Sequence, residues 1–246
     1  MQKLVFSNSK GGQGKTTLAS WAARVASDII AESNKSTLIL DADIEQWSLY
    51  GWSKKRPAAR DHSKKFRNIV DIDVEKISAV SELQDRVAEA EQSGAYDYCI
   101  IDTSGKAEGK TARAALFKSL KPTDIVLIPH QPSGFGNDDT IRFYTNTKAI
   151  HDNTWTVKIN QSYGGLVADY VQQMFGARDI NELDVIIKRT ADAGASPFYG
   201  LTPAEFKSGG MGAYYERNFC EYLFGDKSGK RLGLLKEIAL AYEGDV

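Results

Sequence analysis

Cysteine and proline are scarce in this sequence, long apolar runs are missing, and neither sign of charge dominates. The two cysteines, Cys99 and Cys220, lie far apart and make no metal-spacing pair, so a reducing cytoplasm is the expected compartment. The six prolines form no Pro/Ser-rich linker, and residues 1–246 are expected to fold as one domain. No apolar stretch approaches the ~20 residues that cross a bilayer, which argues against a membrane span. The first apolar strand begins within three residues of the N-terminus, so no signal peptide is expected there. A net charge of −1 removes any argument from overall polyelectrolyte attraction. Internal repeats and low-complexity tracts are also missing.

What is present is a phosphate-binding signature. The apolar run Leu4-Val5-Phe6 leads into Ser9-Lys10-Gly11-Gly12-Gln13-Gly14-Lys15-Thr16-Thr17. Gly11, Gly12 and Gly14 let backbone N–H groups approach phosphate oxygens. Lys15 is placed to reach the β- and γ-phosphates and Thr16 to set its hydroxyl on Mg²⁺. The helix that opens here, with Leu18, Trp21, Ala22, Val25, Ile29 and Ile30 on one face, adds the positive end of its dipole. The common P-loop has a further Gly at the position of Ser9, so this is a variant loop.

Lys10 through Thr17 match Lys-Gly-Gly-any-Gly-Lys-Thr-Thr at every defined position, and the chain resembles the ParA/MinD family of deviant Walker A ATPases. The resemblance implies a three-layer α/β P-loop NTPase fold with a mostly parallel central sheet. Nucleotide-binding residues would be Lys10, Gly11, Gly12, Gln13, Gly14, Lys15, Thr16 and Thr17. It also implies that Lys10 reaches across a homodimer to the partner's nucleotide, making ATP part of the dimer's glue. Iron–sulfur reductases of the family need cluster-ligating cysteines, which this chain lacks.

Thr37-Leu38-Ile39-Leu40 reads as a buried strand ending in Asp41-Ala42-Asp43, where an open parallel sheet places ligands. By resemblance Asp41 holds Mg²⁺ through water and Asp43 activates the attacking water, making Lys10, Lys15 and Asp43 the catalytic residues. The family's Asp-Pro-Gln becomes Asp43-Ile44-Glu45-Gln46 here, and a bare turn-capping role for both aspartates is the competing reading. Tyr96–Asp102 resembles the Walker B strand, which makes Thr16, Asp41 and Asp102 the metal set. It is followed by Thr103-Ser104-Gly105 instead of Thr-Pro. Further strands are expected at 124–129, 156–160 and 183–187. Asn160 either recognises adenine, as in the family, or forms a turn.

Lys54, Lys55, Arg56, Arg60, Lys64, Lys65 and Arg67 crowd together with Asp61 as their single acid. They read either as a non-specific, salt-sensitive DNA contact or as a solvated face. The aromatics from Tyr214 to Phe224 read as core rather than a stacking platform. Leu232, Leu235, Ile238 and Ala241 predict a packed terminal helix without stable membrane association. The function this implies is an ATP-dependent dimerisation switch that hydrolyses ATP to ADP and positions cargo, foremost plasmid DNA, with an adaptor that stimulates hydrolysis. Such a protein would be cytoplasmic, and nucleoid-associated if it binds DNA. A conjugation-associated ATPase and a dethiobiotin-synthetase-like ligase stand as alternatives.

Overall fold

The computed structural model describes residues 1–30, 36–105, 110–132, 137–159, 166–226, 228 and 230–243. Strands and helices alternate along the chain. They run β1 (Gln2–Phe6), α1 (Lys15–Ile30), β2 (Ser36–Ala42), α2 (Ser48–His62), β3 (Glu75–Lys76), α3 (Val80–Ser93), β4 (Tyr96–Thr103) and α4 (Lys110–Lys118). Then come β5 (Ile125–His130), α5 (Asn137–Lys148), β6 (Thr154–Ile159), α6 (Leu166–Gly176), β7 (Glu182–Ile187), α7 (Ala191–Ala195), α8 (Pro203–Phe206), α9 (Met211–Phe224) and α10 (Leu234–Glu243). Short 3₁₀ turns at Lys64–Phe66 and Ser196–Tyr199 follow α2 and α7.

All seven strands are parallel, in the order β3-β2-β4-β1-β5-β6-β7. The parallel sheet predicted from the alternating pattern is therefore present, with short β3 as an edge strand that the sequence pattern did not suggest. Strand alternation divides the core. Leu4 and Phe6 of β1 face α1, α2, α9 and α10, while Val5 between them faces α3, α4 and α5. Burial on both faces explains why the inner strands read as continuous apolar runs.

After β1 the chain first builds the β4–β2–β3 side and then the β5–β6–β7 side, so the loop after β1 lies at the topological switch point. Phe6 and Asp102 are register partners, as are Asp41 and Asp102. Strand pairing alone thus sets the variant loop and two acids side by side. At the opposite end of β1, buried Lys3 is held by Asp124 at 2.9 Å and Glu91 at 2.6 Å. The terminal helix begins at Leu234, which leaves Leu232, expected on its packed face, before its start and exposed. Leu234 and Leu235 are buried and Ile238 packs on the core, while Leu240 and Tyr242 remain exposed. Among the described residues, no helix is long and apolar enough to cross a membrane.

Candidate functional site

The turn from β1 into α1 is held in place before any ligand arrives. Asn8 donates to the Pro129 carbonyl at 2.7 Å and accepts the Lys10 N–H at 3.0 Å. From the other side the Gln131 side chain donates to the Gly12 carbonyl, and its N–H donates to the Gln13 side chain. Gly12 and Gly14 have φ of +71° and +77°. The positive φ is what requires glycine at position 14, and a Cβ there would in addition displace the terminal methyl of Ile159. The first turn of α1 carries no acid, which leaves its N–H groups and dipole end unopposed for an anion.

Two neighbouring cavities open along this turn. One, of about 330 Å³, is lined by residues 11–17 together with Asp43, Gln46, Ser48 and Gly105. The other, of about 410 Å³, runs from Gly14 and Thr17 past Trp21 and Ile159 to Lys188, Arg189 and Thr190. The first has the size and donors of a phosphate site, and the second joins apolar Leu18, Trp21 and Ile159 to basic Lys188 and Arg189. Asn160 lies outside the described residues.

Lys15 is buried at the first cavity, and its ammonium donates to the Lys10 carbonyl at 3.2 Å. Burial lowers its pKa, opposed by the charges of Asp102 and Asp43. Gly105 crosses so closely that a Cβ would lie 2.7 Å from the Lys10 carbonyl oxygen and 2.9 Å from the Lys15 Nζ. The loop after β4 therefore rests on the phosphate loop, which accounts for glycine here; Arg113 also donates to the Ser104 carbonyl. Lys10 behaves differently. Its ammonium turns to Asp139 at the start of α5, at 2.7 Å, and it does not line the phosphate cavity. Asp139 had no sequence signal, since the pair exists only once α5 is packed beside the loop.

The acids occupy the strand ends expected of them. Asp102 is fully buried and accepts the Thr16 hydroxyl at 2.6 Å through Oδ2, while Oδ1 has no hydrogen-bond partner. Burial pushes its carboxyl up to about 8, helped by the negative charges of Asp41 and Asp43 and opposed by Thr16 and Lys15. A buried carboxylate with an orphaned oxygen, touching a threonine hydroxyl, suits a hard divalent cation. Asp41 accepts the Asp43 N–H at 3.1 Å and the Tyr50 N–H at 2.9 Å, and so caps the start of α2. Its carboxyl is likewise raised by burial. A carboxylate has about four lone-pair sites, so capping leaves room for a water-mediated role. The departure from the family spacing is absorbed by a tight turn. Gln46 and Trp47 both donate to the Asp43 carbonyl, and Trp47 adopts a left-handed φ of 42° before α2 begins.

Asp102 has a consequence for pH dependence. In metal- and nucleotide-free protein the folded state holds a proton that an unfolded aspartate releases near ~4. Its contribution to stability is thus complete below about pH 4 and is lost as pH rises through about 8. Denaturant unfolding in chelator should show stability falling across this window, and Asp102→Asn should flatten the fall. An unchanged pH profile in that variant would remove Asp102 as its source.

The basic cluster needs one correction. Lys54, Lys55, Lys64, Lys65 and Arg67 are exposed, but Arg56 is fully buried. Its guanidinium grips Glu205 through two bonds and donates to the carbonyls of Val70 and Gly200. It is a structural clamp and leaves the set of DNA-contact candidates. Among the aromatics, Tyr215 and Phe219 are core as expected, whereas Tyr214 is half-exposed.

A glycine-rich turn at the switch point, a lysine and threonine opening the helix, and strand-end acids define a P-loop nucleotide-binding protein. The sequence matches the family described as ATPase MipZ over residues 2–193, and the chain belongs to that ParA/MinD-type family of ATPases. No curated protein matches it by sequence. Among solved structures it resembles MinD in the MinC:MinD cell division complex of Aquifex aeolicus, with 14% identity, a TM-score of 0.65, and 92% of this chain and 97% of that chain covered. It also resembles a putative plasmid partition protein of Borrelia burgdorferi bound to AMPPNP, with 13% identity, a TM-score of 0.60, and coverage of 98% and 99%. A third likeness is to cobyrinic acid a,c-diamide synthase of Mycobacterium smegmatis, with 16% identity, a TM-score of 0.58, and coverage of 95% and 98%. At such identities these likenesses establish a shared fold.

Proposed function

We propose that this ATPase is a nucleotide-controlled dimerisation switch that positions DNA cargo, foremost plasmid DNA, through ATP-state-dependent DNA binding and an adaptor that stimulates hydrolysis. The observation that carries the reading is the division between its two loop lysines. Lys15 serves the chain's own phosphate cavity, whereas Lys10 sits at the rim with its ammonium on Asp139. A second cation placed outside its own cavity suits the phosphates of a facing copy. Partition relatives on the same fold support the choice of cargo. The ligase alternative shares that fold too, as the cobyrinic acid synthase does, but membership of an ATPase family favours the switch.

In this reading the amides of residues 11–16 cradle the β- and γ-phosphates and Lys15 neutralises charge as it develops. Asp43, on the cavity wall, orients the water that attacks the γ-phosphorus as the bond to the ADP oxygen breaks. Thr16 and Asp102 would hold Mg²⁺, with Asp41 through water; when bound, the ion offsets charge on the phosphates. The adenine would occupy the cavity lined by Trp21 and Ile159.

Sedimentation tests the switch. The parent should pass from monomer to dimer with ATP and Mg²⁺, most clearly when Asp43→Ala preserves the ATP, since a ligand bound between subunits stabilises the dimer by mass action. Lys10→Ala should bind ATP and stay monomeric. A Lys10→Ala protein that dimerises like its parent, or a parent equally dimeric without nucleotide, would overturn the reading.

A further inference from the structure

The fold sets a second, sequence-distant segment against the basic one. The Tyr199 ring stacks on Phe206 with centroids 5.6 Å apart, and Phe206 stacks on Phe66 at 6.4 Å. Lys65 lies over both Phe66 and Phe206, at 5.3 and 5.7 Å, and donates to the Phe206 carbonyl. Gly200, at φ +69°, lets this segment close onto α2: a Cβ there would lie 2.6 Å from the Trp52 carbonyl oxygen and 2.7 Å from the Lys55 Cβ. Phe198, the residue before Tyr199, is 77% exposed, the most exposed of the large hydrophobic side chains among the described residues.

A lone exposed Phe needs no explanation. One whose chain neighbour Tyr199 stacks on Phe206, in a segment bordered by exposed Lys55, Lys65 and Lys207, does. Glu205 is engaged by Arg56 at 2.6 Å and Asp71 by Arg60 at 2.8 Å, while exposed Asp61 stays as the one acid within the basic segment itself. Lys54 reaches towards Asp73 at 3.8 Å and is not counted with the others. The surface therefore offers cations beside two exposed rings, Phe198 and Tyr199.

We propose that this composite surface is the nucleic-acid contact: Lys55, Lys64, Lys65 and Lys207 meet phosphates, and Phe198 with Tyr199 lies against base or sugar faces. The proposal rests on the DNA-binding reading above and adds its apolar half. A nucleic acid alternates charge with flat apolar faces, and every base has one, so such a platform is tolerant of sequence. An acidic peptide would satisfy the lysines but not, in general, the rings.

Salt separates the two halves. Phosphate contacts release counterions and set the slope of log affinity against log salt, whereas ring contacts lower affinity equally at every salt. Binding of the full-length protein with ATP would be measured on a labelled mixed-sequence duplex and on its separated strand. Lys64→Ala should reduce the slope by about 1. Phe198→Ala should weaken binding about tenfold at all salts with the slope unchanged, and Phe198→Tyr should restore it. A Phe198→Ala protein with the parent's unfolding midpoint and the parent's affinity overturns the inference while the lysine contact stands. A parent that binds neither probe at low salt overturns the DNA reading itself, and the platform would then be assigned to an acidic protein partner.

Discussion

Lys15→Ala is expected to lower ATP turnover by at least about a hundredfold and to weaken nucleotide binding, whereas Asp43→Ala should nearly stop turnover and leave binding close to the parent's. The difference follows from where the two groups sit. Lys15 is buried at the phosphate cavity, so its charge acts with little water to screen it. Removing one preorganised stabiliser of developing charge costs on the order of 3–4 kcal/mol in the transition state. The same cation holds the ground-state phosphates, so affinity falls as well. Asp43 lines the cavity but contributes none of the amides that cradle phosphate. In the role proposed for it, its loss would remove the water's orienting group and one negative charge facing the nucleotide. Phosphate release and fluorescent-nucleotide titration separate the two effects. Full turnover in Asp43→Ala would take that residue out of the reaction.

Arg56→Ala should destabilise the fold by about 3–5 kcal/mol, the usual cost of breaking a buried ion pair by removing one partner. For a chain of this size that lowers the unfolding midpoint by roughly 6–20 °C. The guanidinium is fully buried, and its bonds tie α2 to the Val70 loop, the Gly200 turn and α8. Alanine leaves Glu205 without its partner and two carbonyls short of a donor. Arg56→Lys should recover only a small part, since an ammonium cannot reproduce a forked grip on a carboxylate and two carbonyls. A double-mutant cycle with Glu205→Ala reads the coupling directly. Thermal unfolding within a degree or two of the parent would show that the clamp is dispensable.

The phosphate loop, the order of strands and helices, and the acids at two strand ends were legible from residue order alone. Each of those signals is local: three glycines and a lysine within five residues, apolar runs of three or four, a carboxylate at a run's end. Parallel strands buried on both faces leave little freedom in how such runs are used. That is why β1, β2, β4 and β5 fall where the pattern put them, while edge strand β7 buries only alternate residues.

The rest depended on contacts between residues far apart in the chain. Arg56 is one of several basic residues in a row until Glu205, 149 positions later, folds over it and turns a surface charge into a buried clamp. The Lys10–Asp139 pair exists only once α5 packs beside the loop, and Gly105 is required only because it lies on Lys10 and Lys15. The ring stack of Tyr199, Phe206 and Phe66 has no periodicity to betray it, because its members come from two segments joined across α2. Local pattern determined which backbone forms and where phosphate is held. Which charges are buried, which are paired and which face outward was decided by tertiary packing, because desolvation and pairing depend on neighbours that sequence distance does not record.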